Sequence, residues 1–600
     1  MTTRLLMGNE AFAHAALEAG VRVVAGYPGT PSSEVVETVA KLHAAGSAKG
    51  VHVEWSTNEK AALELLAGAS YAGARTLFTC KQMGLNVASD ALLSLNYVGV
   101  EGGCVLFVAD DPGPISSQTE QDTRTFAMFS KLPVFDPSSP EEAYAMVSEA
   151  FELSEKHGTP VILRSTTRVC HGCATVNVQE HHEPRKAEGF IKDTQRWVIF
   201  PRTSFLNHKK IEARNPVIGK EFCSSPFNSV EHADAGRRGI ATHGINYAYT
   251  SEALALLGAE APLLKVGTPF PFPEDLGVEF LKSVDEVLCV EELDPVIERA
   301  LTFLCGKHHL PTKIYGKLTG HIAAAGENTV ESVEKALAAY LDVALPESAQ
   351  LPPPPQMPVR PPVLCAGCPH RASFFAVKEA MKGRKAVFSG DICCYTLGNA
   401  MPLDMTDTCL CMGAGVTMAQ GLHRIEPDAV NFAFIGDSTF FHTGIPGVIN
   451  AVYNEHDIVV VVLDNSTTAM TGHQPHPGTG KTMMGEVSEK ISIERVLEAL
   501  GVKSVQVVNP LELDAAKQAV ARAAEEKGVS AIIFRSPCIA VVKPNKALTV
   551  DADKCIGCKI CINKLGCPAL VMENGKAKVE PGLCTGCTLC SQVCPKKAIG

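Results

Sequence analysis

The chain has 600 residues, too many for one hydrophobic core, and therefore predicts several domains. It is 46% hydrophobic and 20% charged, an ordinary globular composition that excludes collagen-like and wholly disordered proteins. A net charge of −11 argues against nucleic-acid binding, and no apolar run reaches the roughly 18 residues that a membrane-spanning helix needs. The amphipathic start and the 22 cysteines, clustered as in metal or redox sites, predict a cytoplasmic protein.

The first 180 residues alternate β-rich runs with helical stretches. The runs VRVVAGYP, VHVEWS, TLFTC and GGCVLFVAD predict strands, and helices are expected from about Ser32 and from Glu59. Strands that alternate with helices of this kind indicate a parallel sheet wrapped by helices. We predict a first α/β module over residues 1–180.

Composition divides the rest of the chain. Residues 181–238 are polar without a clear period and predict a connector or insertion, whereas the α/β alternation returns over 239–345. The run LPPPPQMPVRPP predicts a stiff linker over 346–362. A further α/β module follows over 363–545, with strands predicted at 430–437 and 456–465, and a short Lys- and Cys-rich segment fills 546–600.

Eight cysteines in that last segment have the spacing of iron–sulfur ligands. Two rows of the form CxxCxxC are each followed by a Cys-Pro pair, which resembles the bacterial two-cluster ferredoxins, although five residues rather than three precede Cys567. Zinc is the alternative, because CxxC pairs also bind zinc, but the doubled row favours iron–sulfur. The resemblance implies one [4Fe-4S] cluster on Cys555, Cys558, Cys561 and Cys594, and another on Cys567, Cys584, Cys587 and Cys590.

Two polar turns follow the predicted strands of the 363–545 module. Gly436, Asp437 and Ser438 end one strand, and Asn465 ends the next, at the edge of a parallel sheet where ligands bind. Asp437 offers a carboxylate oxygen and Asn465 an amide oxygen, which suit Mg²⁺, and Gly436 lets the backbone approach phosphates. A Gly-Asp pair alone is more often a simple turn, but the strand–helix–strand context with the following Asn favours a cation site.

This arrangement resembles the GDG-to-Asn motif of thiamine diphosphate enzymes. The resemblance implies that the carbonyl of Thr467 is a third magnesium ligand. It also places near the cofactor a short run before an apolar helix and two residues that flank the magnesium turns, namely Met412, Gly413, Ala414, Ser438 and Met470.

Thiamine enzymes hold the pyrimidine ring in a second α/β module, with a buried glutamate at the start of a helix. Glu59, in the stretch NEKAA followed by GASYAGAR, matches that pattern. The resemblance implies that Glu59 hydrogen-bonds ring N1′ and thereby promotes loss of the thiazolium C2 proton. The alternative is a solvated glutamate that the helix dipole favours in a first turn.

The chain as a whole resembles the 2-oxoacid:ferredoxin oxidoreductases, in particular those acting on aryl-2-oxoacids such as indolepyruvate. The matching stretches include GYPGTPSSE, LCAGCPHR, GDSTFFHTGIPGVINAVYN and LDNSTTAMTGHQPHPGTG. The resemblance implies two thiamine-binding parallel-sheet modules, a third α/β domain resembling the transketolase C-terminal domain, and an α+β two-cluster ferredoxin domain. The implied reaction converts an aryl-2-oxoacid, CoA and oxidised ferredoxin to an aryl-acyl-CoA, CO2 and reduced ferredoxin. The implied partners are ferredoxin and a small β subunit, in a heterodimer or a dimer of heterodimers.

Further residues follow from the resemblance. Thr30 matches a threonine near the keto acid, Arg124 is a candidate for holding the substrate carboxylate, and the flexible apolar Met470 suits an aromatic side chain. His370, His442 and His476 either line the pocket or are ordinary satisfied histidines.

A third [4Fe-4S] cluster is one interpretation of the remaining cysteines. The candidate ligands are Cys365, Cys368, Cys393 and Cys538, and the neighbouring Cys394, Cys409 and Cys411 leave the assignment open. Ordinary buried thiols are the alternative. The CxxC pair that begins at Cys170 has no second pair nearby in sequence and predicts a structural role.

Two other functions remain open from the sequence. The chain is either a pyruvate or branched-chain 2-oxoacid oxidoreductase with the same cofactors, or an electron-transfer subunit whose thiamine modules are vestigial. Comparing the activity with indolepyruvate and with pyruvate distinguishes the aryl-2-oxoacid enzyme from the first alternative. Substitution of Glu59 distinguishes a catalytic thiamine module from a vestigial one.

Overall fold

The computed structural model describes residues 2–179, 182–346 and 355–600, so residues 347–354 of the predicted linker at 346–362 lie outside the described residues. By its internal contacts the chain divides into two units, Met1–Pro353 and Pro354–Gly600. Within the described ranges, no helix has both the length and the apolar character that crossing a membrane requires.

The first unit contains two parallel-type sheets and their covering helices. Its strands are β1 (Thr2–Met7), β2 (Val23–Gly26), β3 (His52–Trp55), β4 (Thr76–Lys81), β5 (Cys104–Asp110), β6 (Val134–Phe135), β7 (Val161–Thr166), β8 (Cys173–Val178), β9 (Asn228–Glu231), β10 (Arg238–Thr242), β11 (Leu263–Val266), β12 (Glu286–Val290) and β13 (Lys313–Tyr315). Its helices are α1 (Gly8–Glu18), α2 (Ser33–Ala44), α3 (Glu59–Tyr71), α4 (Gln82–Val98), α5 (Thr123–Ser130), α6 (Pro140–His157), α7 (Thr167–His171), α8 (Thr194–Trp197), α9 (Pro201–Phe222), α10 (Gly244–Leu257), α11 (Glu274–Ser283), α12 (Val296–His308) and α13 (Val330–Leu341).

The first sheet confirms the predicted parallel arrangement. Its strand order is β3-β2-β4-β5-β7-β6, and every neighbouring pair runs parallel. All seven residues of β5 are buried, as expected for a central strand covered by helices on both faces. The start of the chain differs from the prediction of a helix alone, because β1 precedes α1 and pairs antiparallel with β8.

The second sheet has the order β13-β12-β10-β11-β9, with β9 antiparallel at one edge. The α/β alternation predicted over 239–345 is present here, with α12 following β12. The segment predicted as a connector carries more regular structure than its polar sequence suggested, since it holds α9, of 22 residues, and the edge strand β9. This α/β domain thus begins before residue 239. The remaining domain boundaries stay a prediction.

The second unit contains a five-stranded parallel sheet and a small C-terminal hairpin. Its strands are β14 (Ala386–Ser389), β15 (Val430–Gly436), β16 (Ile458–Asp464), β17 (Ser504–Val508), β18 (Val529–Arg535), β19 (Leu570–Glu573) and β20 (Lys576–Val579). Its helices are α14 (Pro369–Ala380), α15 (Ala414–Ile425), α16 (Asp437–Thr439), α17 (Ile445–Tyr453), α18 (Ile493–Ala499), α19 (Leu513–Ala523), α20 (Ile560–Leu565) and α21 (Leu589–Val593), with a 3-10 helix at Cys394–Asn399 and a π-helix at Phe440–Gly444.

The order of the five strands is β14-β15-β16-β18-β17, all parallel. The predicted strands at 430–437 and 456–465 are confirmed as β15 and β16, and β16 is buried along its whole length. The C-terminal segment packs on the same hydrophobic core as the sheet, since Leu565 and Leu589 join the cluster that contains Phe374 and Phe434. The cysteine-rich segment is therefore held against the sheet that carries the predicted magnesium turns.

Candidate functional site

The carboxyl ends of β14, β15 and β16 carry the polar residues of the predicted magnesium site. Asp437 follows β15 and is fully buried. Its carboxylate accepts backbone N–H groups from Ser438 at 2.8 Å, from Asn465 at 3.1 Å and from Ser466 at 2.8 Å. Because Asn465 and Ser466 follow β16, the Asp437 carboxylate links the turn after β15 to the turn after β16 by hydrogen bonds.

Asp437 carries a negative charge in this buried setting. Burial acts to raise its pKa, but the His476 imidazole, with Nε2 at 3.2 Å from Oδ2, and the hydrogen bonds outweigh it and bring the pKa below its usual value. The Tyr395 hydroxyl also donates to Oδ1 at 3.4 Å. An ionised carboxylate in a closed site is the group that a hard divalent cation prefers.

Hydrogen bonds fix the orientation of the Asn465 side-chain amide and therefore the position of its oxygen. Its Nδ2 lies 3.1 Å from Nε2 of His370, and its Oδ1 accepts the backbone N–H of Thr467 at 3.2 Å. Burial lowers the pKa of His370 to about 4, so the imidazole is neutral at physiological pH and Nε2 accepts from the amide. The carboxylate of Asp437, this amide oxygen and the Thr467 backbone form a donor set that fits Mg²⁺. The candidate pocket histidines His370 and His476 thus contact the two magnesium residues directly.

Asp391 is a site residue that the sequence reasoning missed. It is fully buried after β14, and its carboxylate accepts N–H groups from Ile392 at 2.8 Å, Gly413 at 3.0 Å and Gly436 at 3.1 Å. Burial raises the pKa of Asp391 above its usual value, and these hydrogen bonds oppose the rise. The signal was present in the sequence, because Gly390 and Asp391 follow a strand as Gly436 and Asp437 do.

The two glycines that Asp391 holds are tightly enclosed. Gly413 has φ +76°, in the region that favours glycine, and a Cβ there would meet the Thr443 hydroxyl. A Cβ on Gly436 would meet the ring of Tyr395. Glycine is therefore required at both positions because side chains of the same chain pack directly against the backbone at the start of α15 and at the end of β15.

The other predicted cofactor residues surround the same edge. The Met412 carbonyl accepts the Thr443 hydroxyl at 2.9 Å, and Ala414 begins α15, the predicted apolar helix. Ser438 Oγ accepts the Thr468 hydroxyl at 2.9 Å, and Met470 is 50% exposed beyond the second turn.

Glu59, in the first unit, lies at the start of α3 and is only 6% exposed. The side chain of Asn58 caps the helix by accepting the Ala61 N–H at 2.8 Å. Gly84 of α4 makes room for the glutamate, because a Cβ at Gly84 would lie 2.5 Å from Oε1 of Glu59. The alternative of a solvated first-turn glutamate is therefore wrong.

The two residues predicted to contact the keto acid differ in their settings. Thr30 is half-buried in the turn between β2 and α2, as its sequence position indicated. Arg124 is fully buried, and its guanidinium donates to Asp122 at 2.7 Å and to Glu291 at 3.0 Å. It also donates to two backbone carbonyls that follow β12. The prediction that Arg124 holds a substrate carboxylate is therefore not retained, since this arginine is enclosed by its own acidic partners.

The eight cysteines of the C-terminal segment surround two cavities. What we call the outer cavity is lined by Cys555, Cys558, Cys561 and Cys594. The inner cavity is lined by Cys567, Cys584, Cys587 and Cys590, so the extra residues before Cys567 still bring it to the second set. Backbone N–H groups point at the sulfurs, as from Ala577 to Cys555 at 3.4 Å and from Ala598 to Cys594 at 3.3 Å. Such N–H groups stabilise the thiolates that iron–sulfur clusters require. In the described residues no group of three or more His, Cys, Asp or Glu is arranged to hold a metal ion, and in each set the thiols enclose a cavity instead.

Four further thiols lie close enough to affect one another's charge. Burial raises the pKa of Cys368 to about 12 and that of Cys394 to about 11, and neighbouring thiols add to both effects. The thiols that interact in this way, which we call the third thiol set, are Cys365, Cys368, Cys394 and Cys538. The sequence had assigned Cys393 to this set. Cys393 has φ +87° and immediately precedes Cys394, which begins the 3-10 helix, so Cys393 stays a predicted ligand beside Cys394.

Three segments of the chain match known protein families. Residues 14–225 match the family described as pyruvate flavodoxin/ferredoxin oxidoreductase, thiamine diP-bdg. Residues 391–534 match the thiamine pyrophosphate enzyme C-terminal TPP binding domain, and residues 547–595 match the 4Fe-4S dicluster domain. Together these matches define a thiamine-diphosphate-binding oxidoreductase with a 4Fe-4S domain, and they confirm the predicted fold class.

Curated relatives narrow the class. The chain is 43% identical to indolepyruvate oxidoreductase subunit IorA of Thermococcus kodakarensis, over 94% of this chain and 91% of the relative. It is 41% identical to the subunit of that name from Methanothermobacter thermautotrophicus, over 99% and 96% of the two chains. The chain belongs to the family of IorA subunits of indolepyruvate oxidoreductase, ferredoxin-linked enzymes that oxidise 2-oxoacids.

One solved structure is also similar. The 2-oxoglutarate:ferredoxin oxidoreductase from Magnetococcus marinus with 2-oxoglutarate, coenzyme A and succinyl-CoA bound shares 18% sequence identity. It aligns with a TM-score of 0.45, over 56% of this chain and 65% of that one.

Proposed function

We propose that the chain catalyses oxidative decarboxylation of aryl-2-oxoacids such as indolepyruvate, with CoA as acyl acceptor, and passes single electrons to ferredoxin. The products are an aryl-acyl-CoA, CO2 and reduced ferredoxin. The observation that carries this proposal is a backbone hydrogen bond of 2.9 Å from the N–H of Cys538 to the carbonyl of Asn465. It joins the third thiol set to the magnesium turn, so an electron acceptor adjoins the site where electrons are released.

The residues at the strand exits fit a magnesium–diphosphate group. Thiamine diphosphate, when bound, supplies a nucleophilic carbon and an electron sink for decarboxylation. Asp437, Asn465 and the carbonyl of Thr467 would hold Mg²⁺, which would offset the negative charge of a diphosphate. Asp391 fixes Gly413 and Gly436 through their N–H groups and so keeps the backbone around the phosphates in place.

Glu59 is the proposed proton-handling residue. Its burial at 6% exposure excludes water, so a hydrogen bond from its carboxyl group to ring N1′ of the cofactor would be strong. Gly84, which leaves space for the carboxyl group, and Asn58, which caps the same helix, keep the side chain in one position.

Three sets of thiols would carry the electrons. We propose one [4Fe-4S] cluster in the outer cavity, one in the inner cavity and one on the third thiol set. Oxidation of the substrate releases two electrons, whereas ferredoxin accepts one at a time, so clusters that store single electrons are required. The soft thiolate sulfurs of all three sets suit iron–sulfur clusters.

The substrate class and the partners complete the proposal. The half-exposed Met470 would contact the aromatic side chain of the substrate, and Thr30 the keto acid. The names of the relatives support indolepyruvate as substrate, and a small β subunit together with ferredoxin would be the partners.

The test begins with a cofactor inventory of the anaerobically purified complex. We expect thiamine diphosphate, magnesium and iron with sulfide at about twelve of each per large chain for three clusters of the [4Fe-4S] type. CoA-dependent ferredoxin reduction is then compared with indolepyruvate and pyruvate as substrates. Faster turnover with pyruvate would replace the aryl substrate by the pyruvate-type alternative.

Catalysis by the thiamine modules is tested with Glu59→Gln. The matched control is Glu64→Gln, on the exposed face of the same helix, where Glu64 pairs with Lys60 at 3.1 Å. We expect E59Q to lose at least a hundredfold in turnover with its iron content unchanged, and E64Q to keep wild-type turnover, since a positioned acid–base group contributes about 10²–10⁴-fold. Turnover that survives in E59Q would favour the electron-transfer subunit with vestigial modules.

A further inference from the structure

Arg371 is the third residue of α14, the helix that follows the Cys365–Cys368 loop. Its side chain is buried, with 4% of its surface exposed. A buried arginine is uncommon unless it is paired with an acid, and in the described part of the chain the groups that most strongly favour the charge of Arg371 are thiols. Its hydrogen bonds go instead to backbone carbonyls. The positive charge of this side chain is therefore not neutralised by an acidic neighbour, and guanidinium groups stay charged even when buried.

The guanidinium divides its hydrogen bonds between two cysteine loops. Nη1 donates to the carbonyls of Leu565 at 2.5 Å and Gly566 at 3.0 Å, the two residues before Cys567. Nη2 donates to the carbonyl of Leu364 at 2.5 Å and contacts that of Cys365 at 3.5 Å. One planar group thus holds the loop of the inner cavity and the loop of the third thiol set at a fixed separation.

The two loops also meet directly. Gly367, between Cys365 and Cys368, has φ +74°, and a Cβ there would overlap the side chain of Thr585 in the inner-cavity loop. Burial lowers the pKa of Arg371, and thiols of both sets, Cys567 and Cys368 first, act against that lowering. Nε has no hydrogen-bond partner among the described residues, so this donor is available to a cluster sulfur.

We propose that Arg371 is a positioning residue for electron transfer, which holds the third thiol set against the inner cavity and places one positive charge beside both clusters. The inference rests on the proposed clusters. In the step concerned, one electron leaves the cluster of the third thiol set, which is oxidised, and enters the inner-cavity cluster, which is reduced. No bond forms or breaks. A nearby positive charge stabilises the reduced, more negative form of each cluster and so raises its reduction potential.

The test uses Arg371→Gln and Arg371→Lys in the full complex. The matched control is Arg384→Gln, because Arg384 is an arginine of the same unit whose partner, Glu525, is at the surface. Each variant is titrated electrochemically with the clusters followed by electron paramagnetic resonance, and iron is counted first. Iron and sulfide below the proposed amount in the unmodified complex would refute the proposed clusters and this inference with them, whereas a full iron content with unchanged potentials in the variants would refute the role of Arg371 alone.

In R371Q we expect the potentials of the third-set and inner-cavity clusters to become more negative by about 59 mV, a tenfold change in a one-electron equilibrium. The outer-cavity cluster should shift by less, R371K should recover most of the change, and R384Q should leave all potentials as they are. Selective loss of the two neighbouring clusters in R371Q, with the outer one retained, would also support the holding role. Unchanged potentials in R371Q, equal shifts of all three clusters, or loss of all three would overturn it.

Discussion

Filling the space beside Glu59 tests its proposed role without altering the glutamate itself. In Gly84→Ala the new Cβ would lie 2.5 Å from Oε1, 2.8 Å from Cγ and 2.9 Å from Cδ of Glu59, so the side chain has to move. Overpacking of this kind costs about 1–3 kcal/mol. Alanine also favours the helix by up to ~1 kcal/mol over glycine, which partly offsets that cost.

Gly68→Ala is the control, because Gly68 lies in α3 and a Cβ there would meet nothing within 4 Å. The gain in helix propensity is common to both variants, so the free energy of unfolding of G84A should lie about 1–3 kcal/mol below that of G68A. Urea unfolding followed by circular dichroism measures this difference.

The functional effect has its own magnitude. A hydrogen bond in which one partner is charged contributes about 1.5–3 kcal/mol, and 1.4 kcal/mol is a factor of ten, so G84A should bind thiamine diphosphate about 10- to 100-fold more weakly. Titration calorimetry of the cofactor-free protein gives the affinity. Equal stability and equal cofactor affinity in G84A and G68A would refute the placement of Glu59 against Gly84.

Three other predictions follow from buried charges. Asp391→Asn should weaken cofactor binding about tenfold, since the amide cannot accept the N–H groups of both Gly413 and Gly436, and equal affinity by calorimetry would contradict the role of Asp391. Arg124→Met should lower the free energy of unfolding by about 3–5 kcal/mol, because it leaves two buried carboxylates without a positive partner. KM for the 2-oxoacid should stay the same. A raised KM with unchanged stability would instead support a role of Arg124 in substrate binding. Burial lowers the pKa of His243 from 6.5 to about 4. As the pH falls, His243 therefore takes up a proton in the unfolded protein before it does so in the folded protein. The contribution of His243 to stability is complete above pH 6.5 and declines as the pH falls towards 4. His243→Asn should flatten the stability profile over that interval, and an unchanged slope in urea unfolding would count against it.

The sequence predicts local features of the site well. Asp437 and Asn465 follow strands of strong β character, and because parallel strands end at one edge, their proximity follows from the order of the elements alone. The same reasoning applied to Gly390 and Asp391 would have found the third strand exit. Its strand, β14, is short and only half-buried, which weakened the signal.

Features that depend on distant partners could not be predicted. Arg124 looked available in sequence, but the acid that encloses it, Glu291, is 167 residues away along the chain. The proximity of Cys394 to Cys365 and Cys538, which lie far from it in the sequence, was likewise not indicated by spacing or residue type. The helix α9 was missed because its polar sequence lacks the apolar periodicity by which helices are recognised.

The segment after β18 joins the third thiol set to the turn after β16 by backbone hydrogen bonds. The N–H of Ser536 donates to the carbonyl of Asp464 at 3.0 Å, and the N–H of Cys538 to that of Asn465 at 2.9 Å, so the pairing of β16 with β18 continues into the thiol ligand itself. Loss of iron from the proposed third cluster would therefore also loosen the turn that is proposed to hold the diphosphate. On the proposed assignment, a chain assembled without iron at Cys538 should retain thiamine diphosphate poorly even when the cofactor is abundant.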